Sequence, residues 1–288
     1  MSEYDGAHSL LIVTLDSCRY DSALHADTPF LDALAVLEPA LAHATFTLPA
    51  HTAMFSGYFP LADRVRGLES PIALRKLPTA RRPGLLKSRG RGFSAGVNMI
   101  DGLRRRGYRT VGAGGVRWFT GPQLREGFDE FLYWGPTYCP DDVDLPAWEA
   151  PHFALSHPQE IAAVLPGQPE PWLLFVNAAE THAPYSAPDS ILRQQRLYAH
   201  ARNAKEPIRQ DTRFERLMAQ LSECQVDAVA LVDAKLRVLF GLLPGPFDFI
   251  VTADHGESFG EQGLWGHVHS APEVFSVPLW QGRYSGTK

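Results

Sequence analysis

Apolar residues along the chain fall into short blocks divided by polar turns, and the spacing inside each block predicts its element. Residues 9–15, SLLIVTL, form a continuous β-branched-rich run that ends at Asp16 and reads as a central strand. TPFLDALAVLEP (28–39) places Leu31, Leu34, Ala35 and Leu37 on one helical face, with Thr28 as N-cap, Pro29 as first helical residue and Pro39 as the stop. Residues 98–115 read as a helix, a stop at Gly107 and a short strand, RTVGA. EPWLLFVNAAE (170–180) and PFDFIVTAD (246–254) are further buried-strand runs, and SVPLW (276–280) is a last one. Between them, residues 213–243 repeat apolar positions every three or four residues, which predicts one long helix or two shorter ones. ATFTLPAHTAMFSGYFP (44–60) frames a short helix, with Thr47 at the N-cap, Pro49 in the first turn and Gly57 at the end.

Strands alternating with helices predict an α/β fold, a largely parallel central sheet sandwiched by helices. In such sheets the strand carboxyl ends gather the ligand site. Asp16 follows one predicted strand, the segment Asn177 to His182 lies at the end of another, and Asp254 with His255 ends a third. Two stretches break the pattern. Residues 68–93 are rich in Arg, Lys, Pro and Gly and read as an exposed loop or lid; residues 136–153 are irregular, acidic and aromatic. With no internal repeat and no boundary, residues 1–288 read as a single domain carrying these two irregular segments.

A hydrophobic fraction of 45% over 288 residues is enough for one sizeable core. The net charge of −5 leaves no basic excess, so nucleic acid is not an expected partner. The start, MSEYDGAHSLLIVTLD, lacks a basic region, its apolar run is too short for a signal peptide or membrane span, and no other stretch reaches membrane length. Cys18, Cys139 and Cys224 show no zinc-finger or CxxC spacing and read as free thiols. A soluble, cytoplasmic protein without membrane partners is expected; oligomeric state leaves no trace.

LIVTLDSCRYD, TPFLDALA, TLPAHTAMFSGYFP, LRRRGYRT, GFDEF, NAAETHAPY and TADHGESFGEQGLWGH with VPLW follow one another in that order. The series resembles the sulfatase branch of the alkaline phosphatase superfamily over nearly the whole chain, including the catalytic domains of phosphoethanolamine and phosphoglycerol transferases. The resemblance implies that Asp16 is the acidic metal ligand after the first strand and that Asp254 and His255 are the Asp-His metal pair. It implies Thr47 as nucleophile and ligand, and His182 and His267 as contacts to the phosphoryl or sulfuryl group or holders of a second metal. Two departures point away from sulfate-ester hydrolysis: position 47 is Thr, where a sulfatase has Cys or Ser for conversion to formylglycine, and His51 stands where the sulfatase motif carries Arg.

The residue chemistry agrees. Asp16, Asp254 and His255 make a mixed oxygen and nitrogen set suited to Zn²⁺ or Mn²⁺, and two carboxylates offset a dication. A dication touching the Thr47 oxygen lowers its pKa toward an alkoxide nucleophile, giving a phosphothreonine that water or an alcohol then resolves. His182 and His267 suit oxygen binding or leaving-group protonation. Each residue has a plainer reading. Asp16 and Thr47 can cap helices, Asp254, His255 and Gly256 can form a turn, and Thr45 competes with Thr47. Glu180 is a substrate contact, a second metal ligand or a cap. His51, one turn from Thr47, faces the pocket or packs against it. Glu257 reads as a loop support through hydrogen bonding, His269 as lying behind the residues that line the site, and Cys18 as buried. The expected activity is metal-dependent hydrolysis of a small phosphate ester. Transfer to a small acceptor and a metal-binding protein without turnover are the alternatives.

Overall fold

The computed structural model of the chain describes residues 8–57, 98–135, 153–167, 170–185, 190–191, 193–195, 197 and 210–286. Its strands are β1 (Ser9–Leu15), β2 (Glu38–Leu41), β3 (Arg109–Gly114), β4 (Glu130–Tyr133), β5 (Trp172–Ala178), β6 (Phe247–Ala253), β7 (Ser258–Phe259), β8 (Trp265–Gly266) and β9 (Ser276–Tyr284). Seven of them form one sheet in the order β2-β9-β6-β1-β5-β3-β4, and β7 pairs with β8 apart from it. Among the described residues, β9 of the large sheet runs against its neighbours β6 and β2, the other pairings of that sheet are parallel, and β7 and β8 pair antiparallel. The predicted largely parallel α/β sheet is therefore present.

Strand alternation sorts the core onto the two sheet faces. Leu11, Val13 and Leu15 of β1, Leu174 and Val176 of β5, and Phe249 and Val251 of β6 pack with Val229, Val232, Leu236 and Phe240 of the helix Thr212–Leu242. On the opposite face Ile12, Leu173 and Phe175 meet Phe55, Ile100, Phe119 and Phe128. Thr14 and Asn177 continue this second set at the carboxyl end, so two polar side chains lie beneath the helix Thr47–Ser56.

Several predicted boundaries move. Residues 213–243 make a single 31-residue helix, started by Asp211, whose carboxylate accepts the N–H groups of Arg213 and Phe214. The helix predicted over 28–39 stops at Leu34, and Pro39 lies instead in the edge strand β2, opposite Pro278. An edge strand leaves one side unpaired, so a residue without an N–H is tolerated there. The N-terminal amides of that short helix, from Phe30 and Leu31, donate to the buried Asp233 carboxylate at 3.1 and 2.8 Å, while the Thr28 hydroxyl turns to Asp32. β9 extends four residues beyond the predicted 276–280, and β4 is a strand the pattern did not show. The irregular segments 68–93 and 136–153 lie outside the described residues, apart from the buried Phe153.

The loop after β6 is pressed onto the segment entering β9. The Gly256 N–H donates to Val274 O at 2.7 Å, and a Cβ at Gly256 would stand 2.1 Å from Glu273 O. The obstacle is backbone, so the loop itself must move. Gly256→Ala is expected to destabilise the fold by about 1–3 kcal/mol, checked by thermal or urea unfolding; an unchanged midpoint contradicts this packing.

Candidate active site

In register, Thr14 of β1 lies between Asn177 of β5 and Thr252 of β6, so the three strands end level. Their following residues, Asp16, the 179–182 turn and Asp254 with His255, therefore meet at one edge. Asp16 is stitched to β5 from both sides: its N–H donates to Ala178 O at 3.0 Å, and Thr181 Oγ1 donates to Asp16 O at 2.8 Å. Ser17 then takes a left-handed conformation (φ 63°), which costs a non-glycine residue about 1 kcal/mol or more. That turn aims its N–H at Asp254 Oδ1 (3.2 Å) and its hydroxyl at Asp16 Oδ1 (3.2 Å).

Asp16, Asp254 and His255 are buried, and one ligand atom from each lies within 4.8 Å of the others. Asp254 Oδ1 accepts the N–H groups of Ser17 and His255, but Asp254 Oδ2 and His255 Nε2 have no hydrogen-bond partner among the described residues. His255 Nδ1 donates to Gly256 O at 2.9 Å, which fixes the tautomer and leaves the Nε2 lone pair free. Two unsatisfied buried ligand atoms beside a second carboxylate fit a divalent cation.

The proton affinities follow the same geometry. Burial pushes both carboxyls up. His182, His255, His51 and the Asn177 amide overcome it at Asp16 and hold that carboxyl below its ordinary range. At Asp254 the charge of Asp16 adds to burial and drives the carboxyl well above its usual range. Burial, with help from His267, lowers His255 to about 3, so its imidazole is the neutral form a cation requires.

Thr47 occupies the first turn of its helix, one residue inside the expected N-cap, which is Phe46. No side chain caps this end, so its amides and the positive end of the helix face the same strand ends. Thr47 Oγ1 donates to Asp16 Oδ2 at 3.5 Å, whereas Thr45 Oγ1 is buried without a partner. Gly57 closes the helix in the left-handed conformation, as expected. His51 is wholly buried and lies edge-on against Phe119 and Phe175. Its Nδ1 donates to Thr47 O at 2.8 Å and its Nε2 accepts from Thr14 Oγ1 at 3.0 Å. Thr14 Oγ1 in turn accepts from Asn177 Nδ2, which also donates to Asp16 Oδ2. His51 therefore packs beneath the threonine; burial lowers it to about 4 and keeps it neutral.

His267 and His182 do reach the site: the His267 ring centroid is 4.5 Å from that of His255 and 5.5 Å from that of His182. Glu257 Oε2 lies 3.0 Å from His267 Nδ1, giving the loop support expected of it. His269 supports the same loop through Ser258 Oγ at 2.8 Å. Glu180 does not join the cluster. Its carboxylate pairs with Lys235 Nζ at 3.0 Å, and Lys235 also donates to Ser156 Oγ. Thr14, Ser17 and Lys235 were not singled out by the sequence. Thr14 and Asn177 carry a usable signal, a polar side chain inside a buried apolar strand.

His51→Phe keeps the ring packing but leaves Thr47 O and Thr14 Oγ1 without their partner, so unfolding free energy should fall by about 1–3 kcal/mol; an unchanged denaturation midpoint contradicts the assignment. Burial raises Glu257, but the charge and hydrogen bond of His267 outweigh it and hold the carboxyl at about 2, against an ordinary 4.5. A depressed folded pKa gives stability that is present above the unfolded pKa and lost as pH falls through the folded one. Wild-type melting temperature should therefore drop more steeply than that of Glu257→Gln between about pH 4.5 and pH 2. Parallel curves in a pH series of melts would contradict the pair.

A search of curated proteins finds no match. Among solved structures, the chain is similar to the integral membrane protein lipooligosaccharide phosphoethanolamine transferase A from Neisseria meningitidis. The identity is 15% and the TM-score 0.59, covering 98% of this chain and 49% of that one, so this chain spans about half its length. The zinc complex of the C-terminal periplasmic domain of EcEptC from Escherichia coli shares 12% identity, with a TM-score of 0.61, over 99% of this chain and 74% of that one. A phosphonate monoester hydrolase of Agrobacterium radiobacter shares 19% identity, with a TM-score of 0.58, over 96% and 68%. At these identities the likeness shows a common fold. A protein-family scan matches residues 9–279 to the family described as Sulfatase, and the chain belongs to that family.

Proposed function

We propose that the chain is a metal-dependent phosphoryl-transfer enzyme that hydrolyses a small phosphate mono- or diester through Thr47. The observation that carries this reading is the Thr47 hydroxyl at a helix start, 3.5 Å from Asp16 Oδ2 and beside the buried Asp16, Asp254 and His255 set. Those three residues would hold the ion, with Zn²⁺ and Mn²⁺ matching their donor atoms; the zinc complex of the related E. coli domain supports this choice. When bound, the ion supplies Lewis acidity to the threonine hydroxyl and to phosphoryl oxygens.

Thr47 Oγ1 attacks phosphorus in line, and the bond from phosphorus to the leaving alcohol oxygen breaks as the new one forms. Asp16 Oδ2 accepts the hydrogen bond that orients the hydroxyl, whose proton is lost to water as the bond to phosphorus forms. His182 and His267 bind the non-bridging oxygens and return a proton to the leaving alcohol. Water then attacks the phosphothreonine, restores the hydroxyl and releases phosphate or a phosphate monoester. His51, donating to Thr47 O, keeps the nucleophile in place from below. Transfer to an acceptor alcohol in place of water is the second reading, favoured by the phosphoethanolamine transferases that share the fold. The free thiols of Cys18 and Cys224 support a cytoplasmic setting, and among the described residues no helix is long and apolar enough to cross a membrane.

The test is turnover of phosphate monoesters, phosphate diesters, phosphonate esters and sulfate esters with Zn²⁺ or Mn²⁺, with and without added alcohols. Hydrolysis of a phosphate ester is expected, and Thr47→Ala should lose at least about a thousandfold in kcat while keeping its metal content. An alcohol-derived phosphate ester as product selects the transferase reading. Full activity in Thr47→Ala removes Thr47 as nucleophile, and a metal-loaded wild type inert on every ester favours a binding protein without turnover.

A further inference from the structure

Gln225 lies on the buried seam of the helix Thr212–Leu242, between Leu221 and Val229, and is wholly enclosed. An amide in an apolar seam costs free energy unless its hydrogen bonds are made. They are made to the loops after β1 and β5, the first of which carries Asp16 and the second His182. Its Oε1 accepts the Arg19 N–H at 3.2 Å, and its Nε2 donates to Ser17 O at 2.9 Å and Thr181 O at 3.2 Å, with the Tyr185 hydroxyl at 3.3 Å. The partners fix the orientation of the amide. Turned over, its NH₂ would meet an N–H and its oxygen would meet two carbonyl oxygens.

The pair of bonds to Ser17 O and Arg19 N braces the turn in which Ser17 is left-handed. Ser17 is also the residue whose N–H holds Asp254 Oδ1 and whose hydroxyl holds Asp16 Oδ1. The bond to Thr181 O reaches the loop after β5, whose next residue is His182, and Thr181 Oγ1 holds Asp16 O. We infer that Gln225 is the positioning residue of the cation site, locking the Ser17 turn and the Thr181–His182 segment in one register so that the Asp16 and Asp254 carboxylates converge. It touches neither ion nor substrate, and the inference rests on the metal-dependent reading above.

The test compares Gln225→Met, of similar length and shape, with Val229→Ala, which removes apolar packing one turn along the same seam. Calorimetric titration of Mn²⁺ and Zn²⁺ into metal-free protein is run below both melting temperatures. Loss of a group that orients metal ligands should weaken binding about 10–100-fold in Gln225→Met, while Val229→Ala keeps wild-type affinity despite its own melting loss. Wild-type affinity in Gln225→Met, or an equal loss in both variants, overturns the inference. If Gln225→Met does not fold, Gln225→Glu takes its place. It keeps an acceptor for Arg19 but lacks the donor to Ser17 and Thr181, and unchanged affinity there overturns the inference as well. A wild type that binds the ion but turns over no ester removes the phosphoryl-transfer reading and leaves this comparison valid. A wild type that binds neither ion overturns both.

Discussion

Two carboxyl groups buried side by side dominate this site. Asp16 and Asp254 raise the cost of each other's charge, and among the described residues no Lys or Arg is a cause of the Asp254 shift. Around them stand backbone N–H groups, hydroxyls, an amide and imidazoles, and Asp254 Oδ2 and His255 Nε2 stay unsatisfied among the described residues. A divalent ion held there would remove the repulsion and satisfy both atoms at once. The local geometry of the strand ends serves that arrangement.

Sheet alternation and level strand ends do most of the positioning. Because β5, β1 and β6 finish in register, three loops distant in sequence open at one edge without any long arm reaching across. Alternation sends Thr14 and Asn177 to the face covered by the helix Thr47–Ser56, where they connect Asp16 to His51, which in turn donates to the Thr47 carbonyl. The backbone of Thr47 is thus held by His51, while its hydroxyl is left to Asp16.

Legibility in the sequence followed the range of the interaction. Residues 9–15, 172–178 and 247–253 stood out because strands in the middle of the sheet carry short, mostly apolar runs, and Asp16, Asp254 and His255 stood out by ending two of them. The edge strand β2 was hidden inside a helical pattern because a strand paired on one side carries little apolar demand; all four of its residues stay at least partly exposed. Glu180 was misjudged because its partner, Lys235, lies 55 residues away on another element. Gln225 left no local sign at all: its partners at Ser17 and Arg19 are backbone atoms more than 200 residues distant, and backbone carries no sequence signature. The roles of Thr14 and Asn177 lie between these cases, visible as polar breaks but interpretable only once the sheet faces are assigned.

The central claim is a shared cation on Asp16, Asp254 and His255. Anomalous diffraction at the manganese or zinc edge, from crystals grown with that ion, tests it most directly. The account predicts one peak about 2.0–2.2 Å from a carboxylate oxygen of Asp16, Asp254 Oδ2 and His255 Nε2. A peak elsewhere, or His255 Nε2 and Asp254 Oδ2 bonded only to protein groups in the metal-soaked crystal, would contradict it.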